Sequence, residues 1–369
     1  MSTPGIPCKR SLPGFFFLVY YYSMTFHFAT DDEITNWDEL LLENPDGGNV
    51  FSSLEIAQTK ADNGWVPRYI VGDDLAILAL EKTIPLLGKF WYLPKGPGVT
   101  TVSGLKPILD SLKAFAASHG VFVVKLESEI LRTPENAQKL VKMGLEKTFA
   151  VQPNASTVLI DIAPDLDTVL AGLNQKGRHA IRRAERDGVT AHPVDPTEKN
   201  MRTMYDLLKI TAEGQWQLRG YEYFHEIWSK FVKNGHGQMF FAEYEGNVVA
   251  ASFGLILGEK GTYKDGASIR ERTAYGSSHL LQWEMIKWMK AHGAKVYDLC
   301  GTPPSEEIRN PDHHFAGLAR FKTSFNKTVT DYVGCYNLPV SSGAYKAWTS
   351  VVERIVLRVH RQRFHTEWY

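Results

Sequence analysis

Residues 291–304 read A-H-G-A-K-V-Y-D-L-C-G-T-P-P, and residues 315–322 read F-A-G-L-A-R-F-K. A mostly polar stretch separates the two. Gly293 is placed to close a helix, because glycine takes the left-handed conformation just past a helix end without steric cost. An apolar strand over 296–300 follows and ends in the turn Gly301-Thr302-Pro303-Pro304. The second segment delivers Phe321 and Lys322 side by side. Asp298 lies inside the strand, and a buried charge without a partner is costly or changes its protonation. Taken singly, Asp298 reads as bonded to nearby backbone and Lys322 as solvated.

A weaker copy of this arrangement occurs upstream. Residues 112–127 read L-K-A-F-A-A-S-H-G-V-F-V-V-K-L-E, and residues 285–299 read M-I-K-W-M-K-A-H-G-A-K-V-Y-D-L. Both are apolar helical patterns ending at His-Gly and followed by a strand. The interval from His119 to His292 equals that from Gly144 to Gly317. Two landmarks with one offset predict duplication of a whole domain.

The rest of the chain fits that reading. Strands are expected over 65–71, 75–82 and 87–93, a helix over 105–118 and a strand over 121–126. The second half repeats the order. Helices at 201–213 and 221–234 precede a meander of 238–244, 248–257 and 260–267, then the helix 278–292 and the strand 295–300. A last strand, 328–337, precedes a helix over 344–363. Antiparallel strands followed by a helix feeding a strand is the order of an acetyltransferase-type α+β domain. The expected architecture is two such domains in tandem. Their bounds are 24–155, completed by a helix within 340–369, and 156–339.

The chain has 369 residues, enough for two cores. Its 41 basic and 41 acidic residues cancel, so a charged partner must be met by a local patch. The three cysteines, Cys8, Cys300 and Cys335, give neither a disulfide framework nor a zinc spacing, which suits a cytoplasmic protein. Lys9 and Arg10 precede an apolar, aromatic run at 15–22 that is too short to span a bilayer. Residues 1–23 are therefore read as an extension, with Met24 as the natural start. His313 and His314 are adjacent in a loop, a poor chelate, so no metal is expected. No Gly-x-Ser-x-Gly motif is present, so covalent catalysis is not expected.

Such a patch is found at 165–188, read as one amphipathic helix. Lys176, Arg178, Arg182, Arg183 and Arg186 crowd one stretch, and Arg178, Arg182 and Arg186 are spaced by four on one face. Arginine forks suit phosphate oxygens, so this helix is the expected tRNA or phosphate contact. Gly177 is read as an opening for a ligand backbone.

Together these residues resemble the FemABX family of peptidoglycan-bridge aminoacyltransferases. The carriers are Phe51-Ser52-Ser53 through Lys60, Trp65-Val66-Pro67-Arg68, Tyr92-Leu93-Pro94-Lys95-Gly96-Pro97 and Lys176-Gly177-Arg178 through Gly188-Val189. Tyr297-Asp298-Leu299-Cys300-Gly301 and Phe321-Lys322 before Gly334 complete the set. The resemblance implies a cleft between the two domains. It also implies transfer of an amino acid from aminoacyl-tRNA to the stem-peptide amine of a cell-wall precursor, either UDP-N-acetylmuramoyl-pentapeptide or lipid II, without a cofactor. It implies Lys322 at the developing oxyanion, Phe321 shaping the pocket, and Lys60 at the precursor's phosphates. Asp298 is an expected catalytic-site residue, with a structural role preferred. Tyr92, Lys95, Arg219 and Tyr263 are the further expected substrate contacts. A cytoplasmic monomer touching the inner membrane face is expected.

Three departures stand out. No long paired heptad helices interrupt the second domain, so the compact, FemX-like members are the ones resembled. Gly214 stands where many members have an arginine. Lys125-Leu126-Glu127-Ser128-Glu129 replaces a more usual Asp-Pro. Two other functions are compatible with the residues: an acetyl-CoA-dependent N-acetyltransferase, and a non-enzymatic RNA- or envelope-binding protein. The first needs a glycine-rich turn at a helix N-terminus for a pyrophosphate. Residues 272–278 retain one glycine there, crowded by Tyr275. The second leaves Lys322 without a role.

Overall fold

The computed structural model describes residues 24–213, 217–269, 274–364, 366 and 368–369. The extension before Met24, Gly214, and Arg272 and Thr273 of the acetyl-CoA turn lie outside the described residues. The strands are β1 (His27–Phe28), β2 (Val66–Gly72), β3 (Leu75–Ile84), β4 (Gly88–Leu93), β5 (Val121–Leu126) and β6 (Glu146–Lys147). They continue as β7 (Leu159–Asp161), β8 (Thr190–Val194), β9 (Gly237–Tyr244), β10 (Asn247–Leu257), β11 (Lys260–Ser268), β12 (Val296–Asp298) and β13 (Tyr336–Pro339). The helices that position the site are α1 (Val102–Ser118), α2 (Gln175–Arg186), α3 (Ser277–Ala291), α4 (Ala316–Lys322) and α5 (Glu353–Phe364).

One sheet runs β1-β2-β3-β4-β5-β13-β6 and the other β8-β9-β10-β11-β12-β7. Up to β13 the first sheet matches the second position by position. In both, the neighbours are antiparallel except at one parallel pair, β4-β5 and β11-β12. A parallel pair needs a crossover, and α1 and α3 supply the two. Both helices end alike. Nδ1 of His119 bonds the Phe115 carbonyl and Nδ1 of His292 bonds the Trp288 carbonyl, each at 2.8 Å. Gly120 (φ 73°) and Gly293 (φ 96°) then take the left-handed turn. The repeated His-Gly is thus a repeated helix end, and the tandem α+β architecture is present.

Strand alternation builds the cores. In β3, Leu75, Ile77 and Ala79 face the core under α1, while Ala76, Leu78 and Leu80 face a central core. In β10, Ala251, Phe253, Leu255 and Leu257 face that same central core, and Val249, Ala250 and Ile256 face a third core under α3. The central core therefore joins the two sheets. Trp348 closes it from the C-terminal segment. This ring is fully buried, 5.4 Å from Phe90 and 5.7 Å from Phe122.

Three expectations need correction. The strand expected at 328–337 is two pieces. Thr330–Asp331 pairs with Ser156–Thr157, and after the left-handed Gly334 the chain enters β13. Because β13 pairs with β5 and β6, the stretch assigned to the second domain up to 339 gives its last strand to the first sheet. The segment 165–188 is also two helices, Leu166–Gly172 and α2. Leu173 is buried in extended conformation, and the Asn174 N–H donates to the Phe325 carbonyl at 2.6 Å, which breaks the helix there.

Truncating Trp348 to alanine opens the central core against the first sheet. The expected loss is about 3–5 kcal/mol in unfolding free energy, read by urea denaturation. A loss under about 1 kcal/mol, the range of ordinary substitutions, would place Trp348 outside the core.

Candidate active site

Asp298 ends β12, where the chain turns sharply. Cys300 (φ 53°) and Gly301 (φ 73°) both adopt the left-handed conformation. One oxygen of Asp298 holds this turn, accepting from the Cys300 N–H at 2.7 Å and from the Thr157 hydroxyl. The other oxygen has no hydrogen bond and faces Nζ of Lys260 at 3.7 Å. Lys260 also reaches Glu129 at 2.6 Å. Glu129 in turn lies 3.7 Å from Nζ of Lys95, which donates to the Asn154 carbonyl at 3.2 Å. Lys95 and Glu129 follow strands of the first sheet, and Lys260 and Asp298 belong to the second. A chain of alternating charge therefore crosses between the sheets. Burial opposes charge on Glu129, yet Lys260 and Lys95 hold its carboxyl below the usual range. Burial likewise opposes the Lys260 ammonium, and Glu129 and Asp298 hold it protonated.

Lys322 is the last residue of α4 and is 4% exposed. Its ammonium donates to the Cys300 carbonyl and, at 2.7 Å, to the Gly301 carbonyl. It sits 5.6 Å from the Tyr263 ring centre. The reading of Lys322 as solvated is therefore corrected: the turn grips its ammonium. An ammonium has three donors, so one remains. Burial pulls its pKa down to about 8. Phe321 packs against His279 at 5.0 Å and Phe325 at 5.4 Å, fixing α4 to the start of α3. Burial raises the Cys300 thiol to about 11, so it is no nucleophile at neutral pH.

A second feature gathers cations. A cavity of about 570 Å³ is lined by Lys60, Lys82, Arg219, Trp65, Tyr223 and Trp368, among others. Burial, then the charges of Arg219, Lys82 and Lys264, pull the Lys60 pKa down to about 8. Burial alone brings Lys82 to about 8. Among the described residues Lys60 makes no ion pair, and Lys82 rests on the Trp65 and Trp368 rings at 4.4 and 4.8 Å. Asp62, at the rim, is taken by Lys230 at 2.5 Å. Lys264, which follows Tyr263 on β11, pairs with Asp265 at 3.2 Å while its charge acts on Lys60.

The basic helix is divided in its roles. Gly177 does not admit a ligand: a Cβ there would lie 2.6 Å from the Ser324 carbonyl, so the glycine lets α2 close onto the segment after Lys322. Arg178 is committed to the Ala171 and Leu173 carbonyls. Arg183 and Arg186 pair with Asp187 at 3.1 and 3.2 Å, and Arg183 also stacks on Tyr275. Arg182 and Lys176 are exposed and make no ion pair among the described residues. Arg178, Arg182, Arg183 and Arg186 line one shallow groove.

Of the expected substrate contacts, Lys60 and Arg219 share the cation cavity, and Tyr263 flanks Lys322. Tyr92 and Lys95 do not reach the cavity. Tyr92 is fully buried and donates to Glu127 at 2.7 Å, and Lys95 is taken up by the inter-sheet charges. Lys82, Lys264, Lys260 and Glu129 were missed. They stand at strand ends or in ordinary charged alternation, which carries no signal until the sheets are placed together. Among the described residues, Asp38, Glu55 and His236 bring three donor atoms within 4.8 Å of one another. There the imidazole bonds Glu55 at 2.9 Å, and that hydrogen bond raises the His236 pKa, as in an ion pair.

The FemAB family model matches residues 232–352. The chain is 22% identical to a lipid II:glycine glycyltransferase of Staphylococcus aureus strain MRSA252, covering 86% of this chain and 94% of that one. This chain is similar to the FemABX family over most of its length. The crystal structure of FemX superposes with a TM-score of 0.74 at 20% identity, over 88% of this chain and 99% of FemX. L-PGS from Bacillus licheniformis gives 0.50 at 14% identity, over 89% and 97%. These two likenesses concern the fold. In this chain the fold brings both sheets' charges to one seam.

Replacing Lys260 with methionine leaves Glu129 and Asp298 facing one another, and the expected cost is about 3–5 kcal/mol by urea denaturation. Adding Glu129→Gln should cost less than the sum, with a coupling of about 0.5–3 kcal/mol. Additive losses would show that these charges do not act as one unit.

Proposed function

We propose that this chain is an aminoacyltransferase of peptidoglycan-bridge synthesis. It moves an amino acid from aminoacyl-tRNA to the stem-peptide amine of a wall precursor. The observation that carries this reading is the cation cavity, with Lys60, Lys82 and Arg219 in one aromatic-walled space. Either precursor, nucleotide-linked or lipid-linked, contains a pyrophosphate, and a fork plus point charges is what binds one. The relatives' name, lipid II:glycine glycyltransferase, supports the lipid-linked form.

In the reaction the acceptor amine attacks the ester carbonyl of the aminoacyl-tRNA. A C–N bond forms, negative charge collects on the carbonyl oxygen, and the C–O bond to the ribose then breaks. The amine's proton leaves to the departing ribose oxygen or to water. The ester is already activated, so alignment and oxyanion stabilisation supply the catalysis. Lys322 is assigned the oxyanion role with its remaining N–H. Asp298 is a positioning residue: it fixes the turn whose carbonyls aim Lys322. The exposed cations of α2, Lys176 and Arg182 first, are assigned the tRNA backbone.

The acetyl-CoA alternative is disfavoured by α2. A Cβ on Gly276, at the N-cap of α3, would lie 2.3 Å from the Ala180 carbonyl. The place where a pyrophosphate would meet that helix is filled.

The direct test is to incubate the purified protein with aminoacyl-tRNA and each precursor and weigh the products. No mass increase on either precursor, with acetylation from acetyl-CoA instead, would replace the proposal. Lys60→Met should raise the acceptor KM about ten- to a hundredfold, the worth of one charge-assisted bond. It should not lower stability, because a desolvated cation is removed; an unchanged KM would free Lys60 of the role. Lys322→Ala should cut kcat about a hundred- to a thousandfold with substrate binding retained. In the wild type, kcat should fall as pH rises through about 8, since burial favours the neutral amine and the ammonium is then lost. A pH profile flat across that range, or near-normal turnover by the alanine variant, would take Lys322 out of the mechanism.

A further inference from the structure

Helix α5 has two unlike faces. Val352, Val356 and Leu357, at and just before its start, pack toward the central core. Glu353 turns inward to Lys125 and Tyr369, at 3.5 and 3.0 Å. The outer face is apolar where water should be. Val351, Ile355 and Val359 repeat every four residues, so they form one stripe, and they are 51%, 54% and 52% exposed. Phe364, 55% exposed, lies on the opposite face of the helix, at the cation cavity. Arg354, Arg358 and Arg361 run along one flank of the stripe by helical position, and Arg363 lies on the other. From 344 to 364 Glu353 is the sole acid, and it faces inward. In a chain of zero net charge this is a local excess of positive charge beside exposed aliphatic surface.

We propose that α5 is an interfacial helix that docks the protein on an anionic lipid surface. An amphipathic helix rich in arginine buries its apolar stripe at the headgroup boundary while its cations meet anionic headgroups. A nucleic-acid backbone has use for the arginines but none for the stripe, so the combination favours lipid. No helix among the described residues is long and apolar enough to cross a membrane, so the contact is with the surface. Position gives the docking a purpose. His360 and Phe364 of α5, and Thr366 just beyond, line the cation cavity. The stripe and the cavity lie on different faces of one helix, so docking by the stripe holds the cavity one helix diameter, roughly 10–12 Å, from the headgroup boundary where a lipid-linked pyrophosphate lies. This deepens the lipid-linked form of the proposed acceptor and rests on that reading for its purpose. Vesicle binding is read without turnover, so its failure leaves aminoacyl transfer standing.

The experiment is co-sedimentation of the full chain with phosphatidylcholine vesicles and with vesicles containing phosphatidylglycerol. Binding is expected only to the anionic vesicles and should weaken with added salt. Arg354→Gln with Arg358→Gln should lower the partition coefficient about thirtyfold, at about 1 kcal/mol per charge. Ile355→Ser with Val359→Ser should lower it about tenfold or more. Circular dichroism melting of each variant confirms that folding is intact, as expected for exposed positions. A polarity-sensitive dye on Ile355→Cys should shift to the blue with anionic vesicles alone. Failure to sediment, or equal sedimentation by the wild type and both variants, overturns the proposal. So does a dye that stays in water. A dimer in solution that Ile355→Asp dissolves, without vesicle binding, would assign the stripe to a second copy and overturn it too.

Discussion

The alternating chain of Lys95, Glu129, Lys260 and Asp298 sets the geometry of everything around it. Removing either middle member, Glu129 or Lys260, strands an end member's charge in a buried seam, where an unpaired charge is far more costly than a lost surface pair. Two members come from each sheet's side, so the seam fixes the relation between the sheets. The constraint propagates through one carboxylate. The oxygen of Asp298 that is not spent on Lys260 organises the Cys300–Gly301 turn, and the carbonyls of that turn hold Lys322. The placement of the proposed catalytic ammonium thus depends on a charge network that touches no substrate.

The cations act in the opposite sense. Lys60, Lys82 and Lys322 are all drawn toward neutrality by burial, and among the described residues none forms an ion pair. A fold selected for stability alone would place acids beside them or expose them. Holding them bare keeps their charge available to an anion that arrives later. A bound anion then stabilises the folded state by mass action. The seam is built to be self-sufficient and the cavity to be incomplete.

Much of this was legible in the sequence. The His-Gly repeat located both crossover helices, because a glycine in the left-handed conformation after a helix is a local requirement. Phe321-Lys322 and Lys60 stood out through resemblance, and Arg219 fell in the same cavity as Lys60. Lys82, Lys264 and Lys260 did not stand out, because a lysine on a strand looks the same whether it meets solvent, an aromatic ring or a buried carboxylate. Which it meets is decided by the packing of one sheet against the other. Tyr92 and Lys95 show the converse. Their motif was recognisable, but the phenol goes to Glu127 and the ammonium to the seam, and neither direction is encoded locally. Gly177 and Arg178 serve helix packing rather than a ligand, for the same reason: the neighbours concerned lie far away in the chain.

The placement of β13 bears on how the chain is made. Strands β1 to β5 are all synthesised before residue 130, yet the strand that covers the open edge of β5 arrives more than two hundred residues later. At a ribosome adding roughly 5–20 residues per second, that edge stays unpaired for tens of seconds. An apolar edge strand left bare is a template for pairing with the wrong chain. The N-terminal half therefore cannot finish folding as it emerges. It waits for the C-terminal half to return, and the molecule matures as one cooperative unit despite being built from two similar sheets.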